Sequence, residues 1–188
     1  PGFWSGEPIW NTAERQGLTA NIFMWPGSEV PIDGRQATVW TPYSSKPTYY
    51  ERADWVIDAM TRPEAEIPEL VMWYFEEPDA TMHTYGPESP QAVAQAEHID
   101  SVLRYFFREI RRSPVFERIN FIVTADHETG GLVVVDGDEH TGRVTGVYVS
   151  DDHTPAMLPV FAYGPGADKF CGTYMNTEIA RRIKSLIK

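Results

Sequence analysis

Between Pro90 and Arg112, Val93, Ala96, Ile99, Val102, Leu103, Phe106 and Ile110 recur at three- and four-residue intervals. That period predicts an amphipathic helix with one apolar stripe facing a core. A second helical pattern runs from Thr48 to Met60, with Trp55, Val56 and Ala59 on one side. Two shorter helices are expected nearer the ends. GEPIWNTAERQG has Pro8 near its start and Gly17 as its stop, and Asn176 to Lys188 has Asn176 or Thr177 as its cap.

Strand-length apolar runs lie between the helices. Thr19 to Met24 (TANIFM) reads as a buried strand ended by the turn Trp25-Pro26-Gly27-Ser28. Leu70 to Phe75 (LVMWYF) reads as a central strand buried on both faces, and Ile119 to Thr124 (INFIVT) as the next buried strand. Leu158 to Ala162 is a further strand, stopped by Tyr163-Gly164-Pro165-Gly166. Leu132 to Val135 and Val144 to Val149 read as a hairpin across DGDEHTGR, and Glu29 to about Pro47 as a loop. Helices alternating with strands predict an α/β fold, a mostly parallel sheet flanked by helices.

The chain of 188 residues suits a single domain. Its 42% hydrophobic and 13% aromatic content marks a globular protein rather than a disordered one. Sixteen basic against 27 acidic residues leave a formal charge of −11, which disfavours nucleic-acid polymers and anionic membranes as partners. An anionic small molecule stays open as a substrate, because bound divalent ions would invert the local potential. Cys171 is the single cysteine, so neither an intrachain disulfide nor a cysteine-based zinc site is available; a buried or half-buried thiol is expected there. No apolar stretch is long enough to span a bilayer and no signal peptide is visible. The chain opens on Pro1 rather than Met, so its natural N-terminus is expected to lie upstream or to have been removed.

Three of the five histidines sit in short clusters that pair a carboxylate with an imidazole: Asp79 and His83 in EEPDATMHTYGP, Asp126 and His127 in TADHETGG, and His153 in SDDHTP. This donor mix suits Zn²⁺ or a similar divalent ion. Asp79 and His83 are four apart, so one helical turn or a compact loop puts them on one side. Asp126 and His127 are neighbours, able to share an ion only where a strand turns into a loop, or else to lie between two ions. The ends of parallel strands stand side by side, where clusters distant in sequence converge. His98 is expected on a helix face, and His140 in a solvated hairpin turn.

These residues resemble the alkaline phosphatase superfamily. From about Gly6 to Pro87 the chain is similar to the nucleotide pyrophosphatase/phosphodiesterase branch, through GEPIWNTAERQG, FMWPGSE and YFEEPDATMHTYGP. From about Asn120 onward it looks more like bacterial alkaline phosphatases, through FIVTADHETGGL and DHTPAMLPVFAYGPGADKFCGTYMNTEIARRI. The resemblance implies an alkaline phosphatase-like α/β fold, of which residues 1–188 form the carboxy-terminal portion. It implies two zinc ions, one on Asp79, His83 and His153 and the other with Asp126 and His127 among its ligands. Trp25 and Tyr43 match the aromatics that flank a nucleotide base; ordinary loop aromatics capping the core are the alternative. The family's opening-strand Asp and its Thr or Ser nucleophile correspond to positions before Pro1, and Thr12, Thr19 and Ser28 do not sit in the nucleophile's context.

The expected activity is zinc-dependent hydrolysis of phosphodiester or pyrophosphate bonds in nucleotides, and the resemblance suggests an extracellular or periplasmic setting. A phosphomonoesterase of the same superfamily is the competing reading, and a noncatalytic metal-binding domain a third. Two features divide the first two. DHETGG stands where the phosphodiesterase branch carries a DHGM-like motif. Tyr74 stands five residues before Asp79, where alkaline phosphatases place an acidic magnesium ligand, which favours the diester branch.

Overall fold

The structure, a computed structural model, describes residues 6–187. Its elements follow the expected order in outline. Helix α1 (Ile9–Arg15) leads into strand β1 (Ala20–Phe23), then β2 (Val39–Thr41), α2 (Tyr49–Met60), β3 (Leu70–Trp73), α3 (Asp79–Tyr85) and α4 (Pro90–Glu109). The remainder comprises β4 (Phe121–Val123), β5 (Glu128–Thr129), β6 (Leu132–Asp138), β7 (Arg143–Tyr148), β8 (His153–Thr154), β9 (Phe161–Tyr163) and α5 (Thr177–Lys184). The fold is α/β, as the alternation implies. Two compact units divide it: one holds the residues through Phe75, Val102–Phe121 and those from Ala162 on, the other Glu76–Ser101 and Ile122–Phe161.

The first unit is built on a three-stranded sheet in the order β2-β1-β3, all parallel. All four residues of β1 are buried, so TANIFM is the central strand. The run LVMWYF lies on the other side of it from β2, and only Leu70 of β3 is buried. The expectation that this run is central and buried on both faces is therefore corrected: apolar content alone does not tell the middle of a sheet from its flank. β2 was not expected either, since Glu29 to Pro47 reads as a loop. It is three residues long with Val39 and Trp40 exposed, too short to leave a periodic signal.

Two apolar clusters stabilise this unit. Phe23 packs with Ala53, Val56, Ile57 and Met60 of α2 and with Val102, Phe106 and Ile110 from the second half of α4 and the turn after it. Trp10 and Ala13 of α1 pack with Ala20, Ile22, Ile32 and Leu70. Burying one such aliphatic side chain stabilises by about 1.5–3 kcal/mol. Helix α2 starts at a capping box, in which Thr48 accepts the Glu51 N–H and Glu51 accepts the Thr48 N–H. Arg52 is buried and donates to the carbonyls of Pro47 (3.2 Å) and Ser44 (3.1 Å), which pins the loop just after Tyr43.

Other expectations needed revision. The α4 stripe is buried at Val102, Phe106 and Ile110 but exposed at Val93 (56%) and Ala96. Periodicity reports which face can be buried, not whether an element arrives to cover it. The INFIVT strand shortens to β4 and is half-buried, with Val123 exposed. The strand expected from Leu158 begins only at Phe161, beyond Pro159, which has no N–H to give a ladder. α5 begins after Asn176 without a side-chain cap bond. Cys171 is exposed rather than buried.

In the second unit, β6 and β7 form the expected antiparallel hairpin, with a register shift between Val134 and Asp136. β5 and β8 form a two-residue antiparallel ladder that nothing in the sequence reading foresaw. Gly130 fastens the ends of this ladder. Its N–H donates to Asp152 O (3.1 Å), and its carbonyl accepts from the N–H groups of Val149 (3.0 Å) and Ser150 (3.1 Å).

Candidate metal centre

All five expected ligands, Asp79, His83, Asp126, His127 and His153, belong to the second unit. Helix α3 carries the first two. Asp79 opens it, in the first turn where a carboxylate suits the helix dipole, and the Glu77 carboxylate accepts the Thr81 N–H at 3.0 Å. Gly86 ends the helix at φ 89°. The four-residue spacing then stacks His83 one turn beyond Asp79, leaving the His83 Nε2 3.4 Å from Asp79 Oδ1.

His153 arrives on β8. The ladder pairs Thr129 with His153 and Glu128 with Thr154. This places the His153 Nε2 2.8 Å from the His83 Nε2 and 3.3 Å from Asp79 Oδ1. Three donor atoms thus form a triangle with edges of 2.8, 3.3 and 3.4 Å. Ligands about 2.0–2.1 Å from a tetrahedral Zn²⁺ stand about 3.3 Å from one another, so two edges match and the third is slightly short. The side chains are 35–43% exposed, open to an entering ion.

His127 lies against the same group. Its ring stacks on His153 with centroids 3.5 Å apart at 20°, and donor atoms of Asp79, His127 and His153 lie within 4.8 Å of one another. This His/Asp group can bind a metal ion. Asp126 Oδ2 stands 3.6 Å from His127 Nε2, on a side chain that is 72% exposed. The neighbours Asp126 and His127 do present their donors on a common side, where the strand has given way to a loop.

Sequence reasoning passed over three residues here. Thr129 Oγ1 donates to Asp79 Oδ1 at 2.6 Å and lies 3.5 Å from His127 Nδ1. Glu128 accepts the Thr154 hydroxyl and the N–H groups of Gly131 (3.0 Å) and Leu132 (3.2 Å). Those bonds, the Thr154 hydroxyl first, hold its carboxyl below the usual glutamate range. Gly130 is the third, through the bonds described above. A signal for Thr129 was available: residues two apart on extended backbone share a face, so Thr129 shares that of His127.

The remaining candidates lie elsewhere. Trp25, in the first unit, is half-buried against the Trp10–Leu70 cluster and meets Tyr74 edge-on at 6.4 Å. Tyr43, also there, is 52% exposed. His98 is exposed on α4, and His140 is exposed in the β6–β7 turn, its N–H donating to Asp138. Ser28 is fully buried and bonded to the Trp25 carbonyl at 2.8 Å, which fits a structural hydroxyl.

Comparison with known proteins gives a consistent result. The family model of type I phosphodiesterase / nucleotide pyrophosphatase matches residues 1–163, a span that includes all five expected ligands. A venom phosphodiesterase 2 from Crotalus adamanteus is 35% identical over 127 residues, 68% of this chain and 16% of that protein. Ectonucleotide pyrophosphatase/phosphodiesterase family member 3 from Bos taurus is 34% identical over 127 residues, 68% of this chain and 14% of that protein. Among solved structures, an inactive murine ectonucleotide pyrophosphatase / phosphodiesterase 5 in complex with AMP matches with a TM-score of 0.60 and 30% identity. That match covers 71% of this chain and 34% of the other. The alignments therefore span about one sixth of the curated relatives and one third of the solved one.

Proposed function

This chain belongs to the type I phosphodiesterase / nucleotide pyrophosphatase family, and from that premise we propose that the protein carrying it hydrolyses phosphodiester or pyrophosphate bonds in nucleotides with bound zinc. The observation that carries this reading is the meeting of Asp79, His83 and His153, from α3 and β8, with two of their three donor separations at tetrahedral spacing. Asp79, His83 and His153 would hold an ion that, when bound, would supply Lewis-acid polarisation of a phosphoryl oxygen, with Asp126 and His127 holding a second ion for the same phosphate.

The residues themselves set the terms. With a net charge of −11 and carboxylates at Asp79 and Asp126, the bare site repels a phosphate ester. Cations in the site are an electrostatic requirement for an anionic substrate. Because Asp79 is the one carboxylate beside the neutral imidazoles of His83 and His153, this donor set would leave a bound divalent ion with excess positive charge toward an anionic ester. Trp25 and Tyr43 are proposed as the aromatics that stack on the base, each by the π-face contact open to any nucleobase. A murine relative solved with AMP supports the nucleotide as the substrate class.

Diesters are favoured over monoesters by Tyr74. Alkaline phosphatases set a magnesium ligand at that position, and a tyrosine supplies no carboxylate. The Tyr74 N–H donates to Phe23 O at 3.2 Å and its ring meets Trp25, so the side chain serves the first unit's packing. Relatives named as ectoenzymes and venom enzymes support an extracellular setting; among the described residues no helix is long and apolar enough to cross a membrane.

The test compares bis-p-nitrophenyl phosphate with p-nitrophenyl phosphate on the zinc-loaded protein that carries this sequence. Faster turnover of the diester is expected. A preference for the monoester would replace the reading with a phosphomonoesterase, and failure on both with zinc bound would leave a noncatalytic metal-binding domain.

A further inference from the structure

We infer that Thr129 is a positioning residue for the metal centre, fixing the Asp79 carboxylate and selecting the His127 tautomer that leaves Nε2 free to ligate. The inference rests on the zinc reading above, and it concerns a residue that the expected ligand set does not include.

The Thr129 hydroxyl has a single hydrogen, and a carboxylate only accepts. At 2.6 Å from Asp79 Oδ1 the hydroxyl donates there. What it turns toward His127 Nδ1, 3.5 Å away, is therefore a lone pair. Nδ1 is satisfied on that side only as an N–H, and a neutral imidazole then carries its lone pair on Nε2. That Nε2 is the atom facing Asp126 Oδ2 at 3.6 Å. A nitrogen lone pair and a carboxylate oxygen at this separation repel each other, and a cation between them turns both contacts attractive.

The hydroxyl is held in place from outside the centre. Thr129 pairs with His153 in the β5–β8 ladder, so the strand pair that delivers His153 also delivers this hydroxyl. Next to it, Glu128 pairs with Thr154 and accepts its hydroxyl as well as the Gly131 and Leu132 N–H groups. One side chain thereby touches Asp79 of the first ion's set and His127 of the second. Outer hydrogen bonds of this kind orient metal ligands, and their loss costs about 10–100-fold in metal affinity.

The test uses Thr129→Val, which keeps the shape without the hydroxyl, and Thr129→Ser, which keeps the hydroxyl without the methyl. Thr129→Ala repeats the first should valine disturb the ladder. Chelator competition gives the zinc affinity, and long-range ¹H–¹⁵N spectra of the zinc-free chain at mildly alkaline pH give the ring tautomers. His127 is expected as the Nδ1–H form in the wild type and in Thr129→Ser, shifting toward Nε2–H in Thr129→Val. Zinc affinity is expected to fall about 10–100-fold in Thr129→Val and to stay close to wild type in Thr129→Ser. An Nε2–H form in the wild type, wild-type affinity in Thr129→Val, or an equal loss in Thr129→Ser would overturn the inference. A wild-type chain that takes up no zinc, with the tautomer still answering to Thr129, would refute the zinc reading and leave the positioning role standing.

Discussion

The Nε2 atoms of His83 and His153, 70 positions apart in sequence, stand 2.8 Å from each other and within 3.4 Å of one Asp79 oxygen. Two imidazole lone pairs at that distance repel unless a proton or a cation lies between them. Without a metal, one ring nitrogen must carry the shared proton; with zinc, the ion takes its place. Substituting either histidine by Ala is expected to lower zinc affinity by more than the 10–100-fold or so that follows loss of an outer partner. Both side chains are about two-fifths exposed, so the zinc-free melting temperature should hardly move. Chelator competition and thermal melts check the pair. A large fall in the melting temperature with unchanged zinc affinity would mean that the contact is structural.

Gly130→Ala tests the backbone junction beside the centre. Gly130 has φ 99°, and a Cβ there would lie 2.5 Å from Tyr148 Cδ1 and 2.9 Å from Pro87 Cβ. Since Gly130 also bonds the segment leading into His153, the substitution should cost about 1–3 kcal/mol and weaken zinc binding. Gly137→Ala, whose nearest neighbour would be an ordinary 3.7 Å away, should stay within about 0.5 kcal/mol. Urea denaturation of both variants makes the comparison.

Tyr43→Ala separates base stacking from support of the fold. Arg52 already fixes the Ser44 and Pro47 carbonyls, so the loop should keep its path without the ring. In a full-length enzyme carrying this sequence, KM for a nucleotide diester should rise while a small p-nitrophenyl diester is turned over nearly as before. Equal losses on both substrates would assign Tyr43 to structure.

Acid should loosen the start of α2. The Thr48 backbone N–H, and after it the Thr48 hydroxyl, hold the Glu51 carboxyl below its usual 4.5. A depressed carboxyl contributes stability above its unfolded value, and that contribution is lost as pH falls through the folded value. The stability gap between wild type and Glu51→Gln should therefore be full near neutrality and close below about pH 4.5. A gap unchanged down to pH 3 or so would show that the box adds nothing through Glu51.

How far the sequence could be read depended on how much each element announces by itself. TANIFM and the Thr48 helix are recognisable because their apolar run and helical spacing are encoded in contiguous residues, and the structure keeps both elements. Asp79 and His83 were legible as a pair because one helical turn joins them. β5 and β8, two residues each, carry no period at all, yet their pairing is what brings His153 to His83. The family resemblance supplied that link where local pattern could not. Thr129 stayed hidden because a hydroxyl in a polar loop has many ordinary uses, and only its distance to Asp79 singles it out.

His83, His127 and His153 are expected to hold zinc while His98 and His140 are not. Titrating zinc into the chain while following the five imidazole ¹⁵N resonances measures this directly. The predicted result is that the Nε2 signals of His83, His127 and His153 move together to saturation, with those of His98 and His140 unmoved. Equal shifts at all five histidines, or none at His83 and His153, would contradict the account.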